Sequence, residues 1–154
     1  MRQYLRPLLT FGLLGTLLLW PAYFLISVQE AAPLSDAERA PLTPVVQPGG
    51  TLIIKNSFTR RKACSAWFHR AIYDSSETLI FSQSEYRPAI GPTGFRIPSI
   101  RQITLPAYAK QGQARYEVTV EWSCNWAQRL WPRVVELPPL TFRIGKDQSR
   151  LDSR

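Results

Sequence analysis

The residues most able to do chemistry in this 154-residue chain are its single histidine, His69, and its two cysteines, Cys64 and Cys124. A cysteine with a histidine nearby can act as a nucleophile with its general base. Side chains alternate between the two faces of a strand, however, so Cys64 and His69, five residues apart, are expected on opposite faces. The sequence therefore predicts an exposed histidine beside a sheet and no catalytic residue.

The remaining polar side chains form no reactive set. Metal sites need several converging His, Cys or carboxylate ligands, which one histidine and two paired cysteines do not supply. Glu117 and Glu121 fall on one face of a strand, but about 13 Å separates them, beyond the ~6.5–9.5 Å of an inverting glycosidase pair. No phosphate-binding loop or hydrolase motif occurs. We expect no enzyme activity, no metal and no cofactor.

An uncharged segment near the amino terminus, residues 8–28, has the length and composition of a transmembrane helix. It would extend about 31 Å, close to the ~30 Å of a bilayer's hydrocarbon core. Arg2 and Arg6 precede it, and positive charge favours the cytoplasmic side, so the stub 1–7 is expected inside. The rival interpretation is a cleaved signal peptide, but its apolar region is usually about 7–15 residues long, and no A-x-A cleavage site follows here. We favour a retained signal-anchor.

Three segments follow the anchor. Residues 29–50 contain four prolines and a Gly-Gly pair, which predict a stiff, extended linker. Residues 51–145 have the size of one domain, and the polar residues 146–154 are expected to form a disordered tail. The prediction is a single-pass protein of the inner (cytoplasmic) membrane, with its carboxy-terminal domain outside, in the periplasm.

The apolar residues of the domain recur with a period of two. The clearest run places five of them on one face: Tyr116, Val118, Val120, Trp122 and Cys124. Turn signals separate this run from shorter ones, at residues 74–76, 91–94, 110–112 and 138–139. Such a pattern predicts an all-β fold, an antiparallel sandwich of about seven short strands.

Both cysteines are expected to point into the core, because Cys64 shares its parity with Phe68 and Ile72, and Cys124 shares its parity with Val120. An even pair of cysteines in an oxidising compartment is usually bridged. Closing a loop of about 60 residues would contribute roughly 4 kcal/mol in the chain-entropy model. We therefore predict a Cys64–Cys124 disulfide.

The cysteine positions and the stretch A-K-Q-G-Q-A-R-Y-E-V-T-V, residues 109–120, resemble immunoglobulin-like and fibronectin-like domains. In immunoglobulin domains one disulfide joins an early strand to the penultimate strand through the middle of two sheets, and the resemblance implies the same here. Two marks of the family are absent: Trp122 replaces the usual tyrosine two residues before the second cysteine, and no tryptophan falls in a clear third strand. The layout also resembles uncharacterised single-span membrane proteins of phages and other mobile elements.

Two surfaces are candidate binding sites. The loop expected between the last two strands is rich in Trp and Arg, which most often anchor interfaces, and its candidate residues are Trp126, Arg129, Trp131 and Arg133. The alternative is that both tryptophans fold back to cover the end of the sandwich. The turn before Cys64 supplies a basic patch, Arg60, Arg61 and Lys62, for which a plain solvated turn is the alternative.

The positive net charge and the Trp/Arg loop lead to two hypotheses about function. Without Arg2 and Arg6 the exported part carries 17 basic and 11 acidic residues, a net charge of +6. The leading hypothesis is a membrane-anchored protein-interaction module that binds another protein of the cell envelope through the Trp/Arg loop. The alternative is a basic domain that binds an anionic polymer such as cell wall, lipid headgroups or nucleic acid.

Overall fold

The computed structural model describes residues 19–25 and 32–145. Residues 19–25 are helical and form α1. Over these two ranges, no helix is both long enough and apolar enough to cross a membrane. Most of the predicted anchor 8–28, the stub 1–7 and the tail 146–154 lie outside the described residues.

The described part is mostly β-structure, arranged as two sheets. Its elements after α1 are, in chain order, β1 (Leu34–Pro41), β2 (Val45–Val46), β3 (Thr51–Arg60), β4 (Ser65–Tyr73), β5 (Leu79–Arg87), β6 (Arg96–Thr104), β7 (Gly112–Ser123), α2 (Trp126–Leu130) and β8 (Arg133–Ile144). One sheet has the order β1-β3-β6 and the other β2-β8-β7-β4-β5. All pairings are antiparallel except the short β2–β8 contact. The predicted all-β sandwich is confirmed.

A single hydrophobic core lies between the sheets. The period of two puts Tyr116, Val118 and Val120 of β7 on the inner face, where all are buried, while the intervening residues are partly exposed. Leu52 and Ile54 of β3 pack into the same core from the opposite sheet. Burying a side chain of this size contributes about 1.5–3 kcal/mol. The inner faces therefore hold the two layers together.

The predicted linker 29–50 is wrong for much of its length, because β1 and β2 lie within it and pair with β3 and β8. Proline is excluded from central strands but is tolerated on sheet edges. Strand β1 is an edge strand and Pro41 is its last residue, so its composition is compatible with pairing. A bulge between Ser35 and Glu38, where Asp36 has a φ of +53°, accommodates the irregular part. The domain thus begins at β1, before residue 51.

The turn predicted at residues 138–139 is also wrong, because β8 continues through Pro138 and Pro139. The register explains how: Tyr116 lies opposite Leu140 and Val118 lies opposite Leu137, so β8 carries one extra residue here. A bulge of this kind leaves a residue unpaired, which suits prolines that have no N–H to donate.

Candidate functional site

The Cys64–Cys124 disulfide is present, with the two Cα atoms 4.3 Å apart. The immunoglobulin resemblance implied that the bridge joins the two sheets, and this expectation is wrong. Cys64 precedes β4 and Cys124 follows β7, and these strands are neighbours in one sheet, where Ser65 lies opposite Ser123. The bridge extends this pairing by one position. With its sulfur bonded, Cys64 has no thiolate to pair with a base.

The disulfide marks one end of the sandwich, here called the bridge end. Both surfaces predicted from the sequence lie there, because the basic turn comes just before Cys64 and the Trp/Arg loop just after Cys124. Helix α1 reaches the same end. The ring of Trp126 lies 5.4 Å from that of Trp20 and 6.0 Å from that of Phe24, between centroids. The fold thus brings together two candidate surfaces and the start of the described chain.

The Trp/Arg loop, residues 125–133, is held at its base by hydrogen bonds to two side-chain amides. The side chain of Asn125 accepts a hydrogen bond from the backbone N–H of Gln128 at 2.9 Å and caps α2. Fully buried Gln128 accepts a bond from the N–H of Cys124 at 2.8 Å. These contacts fix the base of the loop beside the disulfide, which favours a defined shape over a mobile one.

The outer residues of the loop face solvent. Trp131 is 69% exposed and Leu130 is 68% exposed, while Trp126 turns toward α1. The alternative that both tryptophans cover the end of the sandwich is therefore wrong for Trp131. Arg129 and Arg133 are exposed beside them, and neither guanidinium forms an ion pair with another described residue. The result is an apolar patch flanked by positive charge, a composition typical of interface anchors.

The basic turn is partly structural. Arg60 donates hydrogen bonds to the carbonyl oxygens of Ile90 at 2.6 Å and Lys62 at 3.3 Å, and Arg61 donates to the hydroxyl of Ser35 at 2.8 Å. These bonds tie the turn to β1 and to the loop before β6. Arg61 and Lys62 are nevertheless exposed, so both basic side chains lie on the surface of the bridge end.

The outer face of the five-stranded sheet carries an aromatic cluster. The rings of Trp67 and His69 stack at 6.3 Å with an interplanar angle of 12°, and Tyr86 lies 5.1 Å from Trp67. His69 shares a 2.9 Å hydrogen bond with the Ser84 hydroxyl. The predicted exposure of His69 is confirmed. Trp67 and Tyr86 line a groove that Arg129 also lines, which connects this face to the Trp/Arg loop.

A cluster of arginines between the sheets was missed by the sequence analysis. The side chain of Arg70 points inward and is only 6% exposed, with its Nη1 3.0 Å from the Oε2 of Glu85 on β5. Glu85 also accepts hydrogen bonds from Arg87 at 2.9 Å and from Arg101 of β6 at 2.7 Å. One carboxylate thus serves three guanidinium groups. The only local signal was that Arg70 interrupts the apolar parity of β4; its partners lie on other strands.

The pKa values of the cluster follow from burial and from these charges. Burial lowers the pKa of Arg70, and the nearby Arg101 lowers it further. Burial raises the pKa of Glu85, but the Arg87 hydrogen bond and the three positive charges outweigh it and lower the pKa overall. Burial also raises the pKa of Tyr116, whose phenol lies in the field of the arginines. Glu85 is therefore held as the carboxylate.

No protein-family model matches this chain, and a search of curated proteins gave no match. Among residues 19–25 and 32–145, no three His, Cys, Asp or Glu side chains converge in a way that would hold a metal ion.

Proposed function

We propose that this protein is a membrane-anchored, non-enzymatic β-sandwich that acts as a protein-interaction module in the cell envelope. The span 8–28 anchors it in the inner membrane, the domain lies outside the cytoplasm, and the Trp/Arg loop binds a second envelope protein. The observation that carries the proposal is the exposure of Trp131 and Leu130 on a loop whose base is fixed by side-chain amide hydrogen bonds. A rigid aromatic anchor flanked by arginines is the usual core of a binding hot spot.

The strand order supports an immunoglobulin-like or fibronectin-like architecture for this module. Strands β1, β3, β4, β6, β7 and β8 can be lettered A, B, C, E, F and G. Strands A, B and E then form one sheet and strands C, F and G are neighbours in the other, as in those domains. In that architecture the loop between the last two strands is a common recognition position. The Trp/Arg loop occupies this position, between β7 and β8.

The contact between Trp126 and α1 supports a partner close to the bilayer. Helix α1 belongs to the outer half of the segment proposed as the anchor, and it packs against the same loop. A partner that binds Trp131 would therefore contact the domain near the membrane surface. This favours a protein that is itself anchored in the envelope over one that diffuses freely.

The test is site-specific photocrosslinking in intact envelopes, with a benzophenone amino acid placed at Trp131. The matched control is the same amino acid at Tyr108, another exposed aromatic residue, located in the β6–β7 loop at the opposite end of the sandwich. We expect a discrete crosslinked product from position 131 and none from position 108. The same product from both positions, or none from 131, would contradict the proposal.

A second candidate function is binding to an anionic polymer. It is favoured by one observation, that the basic turn and the arginines of the Trp/Arg loop share the bridge end, next to the exposed Trp67–Tyr86 pair. Binding of this type releases counterions, so its affinity falls steeply as salt rises. Cosedimentation with purified cell wall or anionic vesicles distinguishes polymer binding from protein binding. It is measured between about 50 and 300 mM salt, on the order of the range over which counterion-driven binding is lost. Salt-insensitive association would rule the polymer out.

A further inference from the structure

The charge between the two sheets is not balanced by the residues around it. Three arginines share Glu85, and a fourth, Arg39 of β1, approaches the same region. Arg39 donates one hydrogen bond to the carbonyl oxygen of Pro138, while its buried Nη1 has no hydrogen-bond partner among the described residues. Four guanidinium groups thus line this region, and its one carboxylate, Glu85, contacts three of them. Buried charge without a partner is costly, so an anion at this position would stabilise the protein.

These arginines line a cavity whose other walls are mostly apolar. The cavity has a volume of about 160 Å³ and lies between the sheets, with walls that include Phe68, Tyr116 and Val120. Four of the lining residues are arginines, and none of the described lining residues is acidic. Trp122 also lines it, and the Trp122 Nε1 is buried without a hydrogen-bond partner among the described residues. The cavity therefore combines an excess of positive charge, unpaired donors and apolar contact surface.

Phe68 shows how the protein itself partly compensates the charge. The guanidinium carbons of Arg70 and Arg87 lie 5.2 and 5.3 Å from the centroid of its ring. The negative face of an aromatic ring attracts such cations, but much less strongly than an anion does. The remaining excess charge is left for a bound group. Burial also lowers the pKa of Arg39, as expected for a cation that lacks a counterion.

We propose that this cavity binds a small organic anion, whose carboxylate or phosphate group contacts the arginines and whose apolar body lies between the sheets. The size follows from the volume, since a cavity of about 150 Å³ accommodates a benzene ring. Arg101 and Arg39 supply donors for the anionic group at its two sides, and planar guanidinium groups match both carboxylate and phosphate geometry. Trp122 adds a neutral donor. This site is separate from the Trp/Arg loop and does not depend on the function proposed for it.

The test is isothermal titration calorimetry on the full chain in a nonionic detergent, with phenyl phosphate as the probe. Inorganic phosphate lacks the apolar body and benzyl alcohol lacks the charge, so each tests one half of the site. We expect saturable one-site binding of phenyl phosphate, and binding of either control compound that is at least about tenfold weaker. Equal binding of inorganic phosphate, or no saturable binding of phenyl phosphate, would overturn the proposal.

Variants locate the binding. Arg101→Gln and Arg39→Gln each remove a charged donor and should weaken phenyl phosphate binding by about tenfold or more. Arg143→Gln removes the same charge from an exposed position and should change it by less than about twofold. Near-ultraviolet circular dichroism checks the fold of each variant. If Arg101→Gln is unfolded, Arg39→Gln alone tests the location of the site. The comparison of the three compounds on the wild-type protein needs neither variant. Equal weakening by Arg143→Gln, or none by the folded arginine variants, would refute the site.

Discussion

The guanidinium group of Arg101 lies 2.7 Å from the carboxylate of Glu85, and this contact joins the edge strand β6 of one sheet to the edge strand β5 of the other. The same carboxylate holds Arg70 in the interior. On the other side of the sandwich Arg39 of β1 donates a hydrogen bond to the carbonyl of Pro138 in β8. The two layers are therefore linked by arginines at both edges, in addition to the apolar core.

Replacing Glu85 by Gln should destabilise the domain by about 2 kcal/mol. The change leaves Arg70 buried without a counter-charge, and breaking a buried pair typically costs about 3–5 kcal/mol, reduced here because Glu85 is partly exposed. Urea denaturation of the full chain, followed by tryptophan fluorescence, measures the free energy of unfolding. The control is Glu136→Gln at an exposed position of β8, and an equal loss in both variants would contradict this role of Glu85.

Reducing the disulfide should lower the free energy of unfolding by roughly 4 kcal/mol, the value for a loop of this length in the chain-entropy model. Both sheets should nevertheless remain, because the bridge connects neighbouring strands that are already paired from Ser65 to Tyr73. Denaturation with and without reductant gives the loss, and far-ultraviolet circular dichroism of the reduced protein checks the sheets. Loss of all β-structure on reduction would contradict the expectation that the paired strands persist without the bridge.

The pattern of inward residues was predictable from the sequence because it is local. Tyr116, Val118, Val120 and Trp122 alternate with polar residues, and all four are buried. Strand β1 was not predictable in this way, since its proline, Pro41, is compatible with pairing only on an edge, and edge positions are set by tertiary structure. The cysteine pair was predicted but its placement was not, because parity gives the face of a strand and not its neighbour.

The candidate site residues were likewise predictable only where a local sequence pattern determines their position. The exposure of His69 followed from parity, whereas the sequence left open whether Trp131 is exposed or covers the end of the sandwich. The contact of Trp126 with α1 joins residues about 100 positions apart, and no local pattern carries it. Arg70 is instructive because its charge breaks the apolar pattern while its side chain stays inside. Only the pairing of β4 with β5 supplies Glu85, whose carboxylate makes that burial tolerable.

The turn after β4 should confer pH-dependent stability through Asp74. Hydrogen bonds, the largest from the Ser76 hydroxyl and others from the backbone N–H groups of Lys110, Ser76 and Thr78, lower the pKa of Asp74 from 3.8 to about 2. Since the folded value lies below the unfolded one, the carboxylate stabilises the fold above pH 4, and this contribution is lost as the pH falls from about 4 to about 2. Asp74→Asn should remove that part of the pH dependence of the urea midpoint. An unchanged pH profile would show that the turn does not depend on the ionised group.

Trp131→Ala should separate binding from stability. Trp131 is largely exposed, and substitutions at such positions usually change the free energy of unfolding by less than about 0.5 kcal/mol. Capture of the partner by the anchored protein should nevertheless fall by at least about tenfold, the usual effect of removing a hot-spot residue. Tyr108→Ala is the control and should leave capture unchanged. A marked loss of stability in Trp131→Ala would indicate a structural role for the side chain.

The proposed display of the domain outside the cytoplasm is tested most directly by the redox state of Cys64 and Cys124 in the native protein. Cells are quenched in acid, the protein is denatured, and its thiols are labelled with a maleimide polymer before and after reduction. We expect no labelled thiol before reduction and two after it, because the bridge forms and persists only in an oxidising compartment. Two labelled thiols without reduction would contradict the proposed location and, with it, the proposed role in the cell envelope.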